Sequence, residues 1–158
     1  MQMALVRILV DGYSLLHNWT ELAPGKPRYS AAAREDLIAV LTQYHDACGT
    51  PITVVFDGSR SKRERNCETA STPEVEILYS TAGQTADQLI ERAAYRFKDY
   101  GEVLAVTDDY AERDTVINFG GMASSCDSFI RTLEGALGEM QRDIQRHNFK
   151  EGTRYRTR

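Results

Sequence analysis

Three apolar runs in the chain each stop on an acid. Val6-Arg7-Ile8-Leu9-Val10 ends at Asp11-Gly12, Ile52-Thr53-Val54-Val55-Phe56 at Asp57-Gly58, and Val103-Leu104-Ala105-Val106 at Thr107-Asp108-Asp109. β-branched and aliphatic residues at this density, cut off by turn residues, predict buried strands. Val75-Glu76-Ile77-Leu78-Tyr79 reads as a less hydrophobic strand at a sheet edge, and Met122 to Ser125 as a short fifth strand. Between the strands the period turns helical. Ser30 is the expected N-cap of a helix to about Cys48, with Leu37, Val40, Leu41, Tyr44 and Cys48 on one face and Gly49 and Pro51 as its stop. Thr85 and Gln88 make the T-x-x-Q of a capping box, opening a helix with Leu89, Ile90, Ala93, Ala94 and Phe97 inward. A helix from about Tyr110 to Ile117 is stopped by Gly120-Gly121. The last helix, Asp127 to about Arg146, turns Phe129, Ile130, Leu133, Leu137 and Met140 inward. Tyr13 to Tyr29 and Ser59 to Pro73 read as loops.

Strands alternating with helices predict an α/β fold: a three-layer α/β/α sandwich with a mostly parallel central sheet, helices on both faces and right-handed crossovers. The expected domain is 1–146, followed by a basic, poorly ordered tail over 147–158. A chain of 158 residues can bury roughly 70% of its unfolded surface in one core without disulfide staples. Cys48, Cys67 and Cys126 are odd in number and form no CxxC pair. They read as reduced thiols, two of them small core residues. No stretch approaches the roughly 18 apolar residues of a membrane span, nor does the N-terminus resemble a secretory signal. The expectation is a soluble, cytoplasmic protein with no membrane partner.

Charge changes the picture, because it is unevenly spread. The net charge is −4, yet from Met140 onward six Lys/Arg face two acids, a local +4 that leaves −8 for the rest. An acidic site with a basic tail is compatible with nucleic acid, and equally with a tail that merely keeps the protein soluble.

In a parallel sheet all strand ends of one kind share an edge, so Asp11, Asp57 and Asp109 can converge there although far apart in sequence. Asp87 falls on the first turn of a helix, and Glu91 one turn later on the same face. Each has a bland reading: Asp-Gly is a common turn, Asp87 can complement a helix dipole, and Asp108 or Thr107 can be an N-cap. Together, four carboxylates without intervening Lys or Arg raise one another's pKa and are best explained by bound cations. Oxygen ligands of this kind favour Mg2+ or Mn2+, one ion or two, over zinc. With such metal the chemistry is a metal-activated water attacking a phosphodiester, and no protein nucleophile is required. A receiver-like phosphoacceptor at Asp57 lacks the Lys expected after its last strand, and a haloacid-dehalogenase-type phosphatase lacks the second acid of D-x-D at Asp11-Gly12-Tyr13.

Asp11-Gly12-Tyr13-Ser14-Leu15-Leu16, Val55-Phe56-Asp57-Gly58, Thr85-Ala86-Asp87-Gln88-Leu89-Ile90-Glu91 and Val106-Thr107-Asp108-Asp109-Tyr110 resemble the NYN domain of the PIN-like nuclease superfamily, in its YacP-like bacterial branch. The resemblance covers roughly residues 5 to 145. It implies a PIN-like fold, a metal-dependent ribonuclease, and Asp11, Asp57, Asp87 and Asp109 as the metal-binding acids. Two positions depart from the family pattern. Ser14 stands where Asn is usual, and Asp108 where Ser or Asn precedes the last Asp. The extra acid either joins the metal shell or points away and caps the helix, which is the expectation.

The loop carrying Arg60, Lys62, Arg63 and Arg65 leaves directly after Asp57, so its basic side chains can hold phosphates beside the cup; the alternative is an ordinary solvated charge run. Arg113, one turn into the helix after Asp109, can do the same. Tyr13, His17 and Trp19 follow Asp11 and can stack on an unpaired base, although packing under the loop suits Trp19 better. Glu91 either orients a metal-bound water or pairs with Arg92 or Arg113. The expected function is an endoribonuclease acting on single-stranded or loop RNA. The alternative is an RNA- or ribosome-associated binding protein with the nuclease fold and little turnover.

Overall fold

A computed structural model describes residues 5–58, 71–81 and 83–156. Its five strands are β1 (Leu5–Asp11), β2 (Ile52–Phe56), β3 (Val75–Tyr79), β4 (Glu102–Val106) and β5 (Met122–Ser124). They form one sheet in the order β3-β2-β1-β4-β5. Every pairing is parallel, with Val10 opposite Val54 on one side and Val106 on the other. Among the described residues there are five helices: α1 (Gly12–Asn18), α2 (Ala31–Cys48), α3 (Ala86–Phe97), α4 (Tyr110–Asn118) and α5 (Cys126–Arg156). The expected three-layer α/β/α sandwich of PIN-like type is what the chain adopts, and β3 is an edge strand as its composition predicts.

Alternation along the strands makes two cores. Ile8, Val10, Val54 and Phe56 face Leu15, Leu37, Leu41, Phe129 and Leu133, so α1, α2 and α5 cover this side. Leu9, Val55 and Ala105 face Ile90, Ala93, Ala94 and Val116 of α3 and α4 on the other. Strands buried on both faces explain the unbroken apolar runs. Ser30 caps α2 by accepting from Ala33 N, and Gly49 closes it in the left-handed region at φ 78°. The Thr85/Gln88 capping box opens α3.

Two expectations are corrected. The segment read as a loop from Tyr13 begins as helix α1, because Asp11 supplies an N-cap immediately after β1. The last helix runs on to Arg156 instead of ending at about Arg146. No Pro interrupts it after Cys126, and its Arg, Glu, Gln and Leu residues favour helix. Of the cysteines, Cys126 is buried and Cys48 exposed, while Cys67 lies outside the described residues. No described helix is long and apolar enough to cross a membrane.

Candidate functional site

Chain order places β2 and β3 on one side of β1 and β4 and β5 on the other. Such a reversal opens a crevice at the carboxyl ends of the strands. Asp11, the last residue of β1, is the N-cap of α1: Ser14 N donates to its Oδ1 at 3.4 Å and Ser14 Oγ to its Oδ2 at 2.9 Å. The turn that presents it needs Gly12, since a Cβ there would stand 2.6 Å from Phe56 Cδ1. Asp57 follows β2 and is tied to the end of β3, its Oδ1 accepting from Ser80 Oγ at 2.7 Å. Asp87 lies in the first turn of α3. Asp109 is the N-cap of α4, its Oδ1 accepting from Ala111 N and Glu112 N at 2.9 and 3.3 Å.

These four aspartates line one cleft of about 360 Å³, together with Ser14, His17 and Tyr29, and no described Lys or Arg lines it. Burial raises the Asp11 pKa; the two hydrogen bonds from Ser14 oppose this, and the Asp87 and Asp57 charges add to it.

A fifth acid, Glu112, belongs to the group and was not expected from the sequence. One carboxylate oxygen each from Asp11, Asp87 and Glu112 lies within 4.8 Å of the others. Glu112 is 1% exposed. Its Oε2 accepts from the buried Thr107 hydroxyl at 2.9 Å, while Oε1 is buried with no donor. Burial, and after it the neighbouring Asp87 carboxylate, push the Glu112 pKa up to about 9. Two acceptors facing each other need a proton or a cation between them. Ligand oxygens about 2.1 Å from a Mg2+ ion are roughly 3 to 4 Å apart, so a modest closure of these three would complete a hard-cation site. The spacing Asp109-x-x-Glu112 was the available signal. It has the form of a capping box, but Glu112 turns inward to Thr107 instead of back to the cap.

The other candidates sort by where their side chains go. Asp108 is not among the residues that line the cleft, and it does not cap the helix that follows it, whose N-cap is Asp109. It accepts from Cys126 N at the start of α5, from Asn18 Nδ2 and from Arg113. Its charge and burial hold the Cys126 thiol at a pKa of about 12, burial being the larger cause. Arg113 is engaged rather than available: Nε donates to Thr107 O at 2.7 Å and the guanidinium pairs with Asp108 at 3.2 Å. Glu91 lines a separate depression with Gln88, Arg92 and Tyr95, away from the aspartates' cleft. Trp19 is in the core at 5% exposure. Tyr13 is half-buried, its ring 5.2 Å from Phe56 and its hydroxyl accepting from Arg34. Arg60, Lys62, Arg63 and Arg65 lie outside the described residues.

The sequence model of the YacP-like NYN domain matches residues 8–158. The uncharacterized protein YacP of Bacillus subtilis (strain 168) is 26% identical over 140 residues, covering 88% of this chain and 81% of that one. The crystal structure of Rae1 (YacP) from Bacillus subtilis superimposes with a TM-score of 0.76 at 25% identity, over 92% of this chain and 83% of that one. Its W164L mutant does so with a TM-score of 0.75 over 91% and 84%.

Proposed function

The chain belongs to the YacP-like NYN domain family, a nuclease-type fold, and from that premise we propose that it is a metal-dependent endoribonuclease. The observation that carries the reading is the trio Asp11, Asp87 and Glu112, whose oxygens lie within 4.8 Å of one another around a buried Glu112 oxygen that lacks a donor. Mg2+ or Mn2+ is the group whose charge and oxygen preference suit these residues. Bound there, it supplies an activated water and neutralises charge developing on the phosphodiester.

The chain's own residues position and orient. Asp11, Asp87 and Glu112 hold the ion. Ser14 fixes the Asp11 carboxylate through both its hydroxyl and its amide, and Thr107 fixes Glu112. Asp57 and Asp109 stand in the same cleft, where a second ion or the water would be held. The substrate is RNA in a single-stranded or looped region, and the basic residues that follow Asp57 in the sequence, Arg60, Lys62, Arg63 and Arg65, would hold its phosphates.

Purified protein should cleave such RNA in Mn2+ or Mg2+, leaving a 5′-phosphate and a 3′-hydroxyl, and lose the activity in EDTA or as Asp87→Asn. Tight RNA binding by wild-type protein with no cleavage of any RNA in either metal would replace the enzyme with the binding-protein reading.

A further inference from the structure

Besides its carboxylates the cleft is lined by the aromatic side chains of Tyr13, His17 and Tyr29, and these are mounted more firmly than a surface loop requires. Residues 19–30 contain no helix or strand, yet two arginines hold them. Arg28 donates to the carbonyls of Leu16, Trp19 and Ala23 at 3.1, 3.0 and 2.6 Å. Ala23 is buried, and its φ of 53° puts it in the left-handed region that a non-glycine residue enters only when its surroundings hold it there. Arg34 is 3% exposed and donates to Tyr29 O at 2.6 Å and to the Tyr13 hydroxyl at 2.9 Å. A guanidinium is tolerated at that depth only when it is hydrogen-bonded. Here its bonds fix the backbone of Tyr29 and the ring behind it.

The Tyr29 ring stands 4.8 Å from the Tyr13 ring and 4.9 Å from His17, which meets it edge-on. It nevertheless remains 63% exposed and lines the same cleft as Asp11 and Asp87. A tyrosine that only filled space would be covered, and one that only decorated the surface would need no such support. The cleft also combines two chemistries. Its carboxylates repel a phosphate unless a cation intervenes, whereas an aromatic face accepts a neutral base without any ion.

We propose that Tyr29, backed by Tyr13 and flanked by His17, is a stacking platform for one unpaired base of the strand whose phosphate lies at the carboxylates. The ligand class rests on the ribonuclease reading. The platform discriminates paired from unpaired nucleotides rather than one base from another, because every base offers a π-face.

The test is a short single-stranded RNA carrying one 2-aminopurine, walked along its length and titrated onto Asp87→Asn protein so that no cleavage intervenes. At one position the fluorescence should be quenched on binding. Tyr29→Phe and Tyr29→Trp should keep the quench in this background. Tyr29→Ala and Tyr29→Leu should lose it and weaken binding by roughly 5- to 150-fold, the range that base–aromatic stacking carries. Absence of quenching with Tyr29 intact overturns the platform, as does a Tyr29→Ala or Tyr29→Leu protein that quenches like its parent. Tyr29-dependent quenching in a protein whose wild type cleaves no RNA keeps the platform and removes the enzyme. Cleavage by wild type with no effect of Tyr29 does the reverse.

Discussion

Helix α5 begins at the acidic edge of the sheet and is exposed from Gln141 to Lys150, and these two parts live under opposite constraints. At the first, the polar groups have defined partners: Cys126 N with Asp108, Ser14 with Asp11, Ser80 with Asp57, Thr107 with Glu112. Phe129 and Leu133 lock that end onto the sheet. From Gln141 to Lys150 every residue is exposed, including Ile144 at 52% and Phe149 at 76%. The first region gathers like charges at a cost in stability and holds them with hydrogen bonds. The second gathers mainly positive charge where water screens it, at almost no cost. Function is therefore expected at the first end, where the structure tolerates repulsion that folding alone would remove.

The largest effect should come from removing one acid of the trio. Replacing groups that merely orient metal ligands costs about 10- to 100-fold in metal affinity or activity, so Asp87→Asn, which removes a proposed ligand, should lower cleavage by more than that. In metal-free buffer the same variant should unfold at a higher temperature than wild type, because a repelling charge is gone. A lower melting temperature would mean that Asp87 is structural and that the cleft stores no repulsion.

Next comes the pH dependence of the apo protein. The Glu112 pKa is raised from its ordinary 4.5 to about 9. Between those values the folded protein keeps a proton that the unfolded chain has released, so its contribution to stability is full below pH 4.5 and is lost as pH climbs toward 9. Glu112→Gln, a neutral mimic of the protonated state, should flatten that decline in a series of urea midpoints. In wild type, divalent-ion affinity should rise over the same window, since the ion displaces the proton. If Glu112→Gln leaves the pH slope unchanged, the buried acid is not the titrating group.

The sequence exposes most of the fold and a little over half of the cleft, for physical reasons. Strand positions and parallel topology follow from apolar runs between amphipathic segments, and a shared edge for Asp11, Asp57 and Asp109 follows from the topology. Asp87 is marked by the capping box beside it. Glu112 is hidden because its importance is a matter of direction: three residues past an N-cap it looks like a helix-start acid, and only its packing against Thr107 and Asp87 distinguishes it. Tyr29 is hidden for the same reason, since nothing in Pro27-Arg28-Tyr29-Ser30 shows that Arg34 reaches back to hold it. Asp108 and Arg113 are misleading in the opposite sense, because charges close to the site along the chain spend themselves on each other.

A smaller effect, read on stability, is expected at the turn that aims Asp11. Gly12→Ala pushes a methyl into the Phe56 ring, which is fully buried and stacks on Tyr79 with 5.5 Å between centroids. Overpacking of this kind costs about 1–3 kcal/mol, or a fall of roughly 2 to 12 °C in Tm for a domain of this size. Adding Phe56→Leu should restore part of the loss, and a double-mutant cycle would measure the coupling. Strict additivity would show that the ring is not what meets the methyl.

The smallest effect belongs to the far end of α5. Phe149→Ala and Ile144→Ala remove large apolar side chains, yet both are mostly in solvent, so each should change stability by no more than about 0.5 kcal/mol. The measurement is urea unfolding at two protein concentrations tenfold or more apart. Unchanged midpoints at both concentrations would keep the contrast between a constrained site and an unconstrained helix end. A larger loss that grows with concentration would mean that these side chains are covered in solution by a second copy, since stabilisation by a partner follows mass action whereas packing within one chain does not. The helix end would then be an interface held by apolar contact, and its exposure a property of the isolated chain.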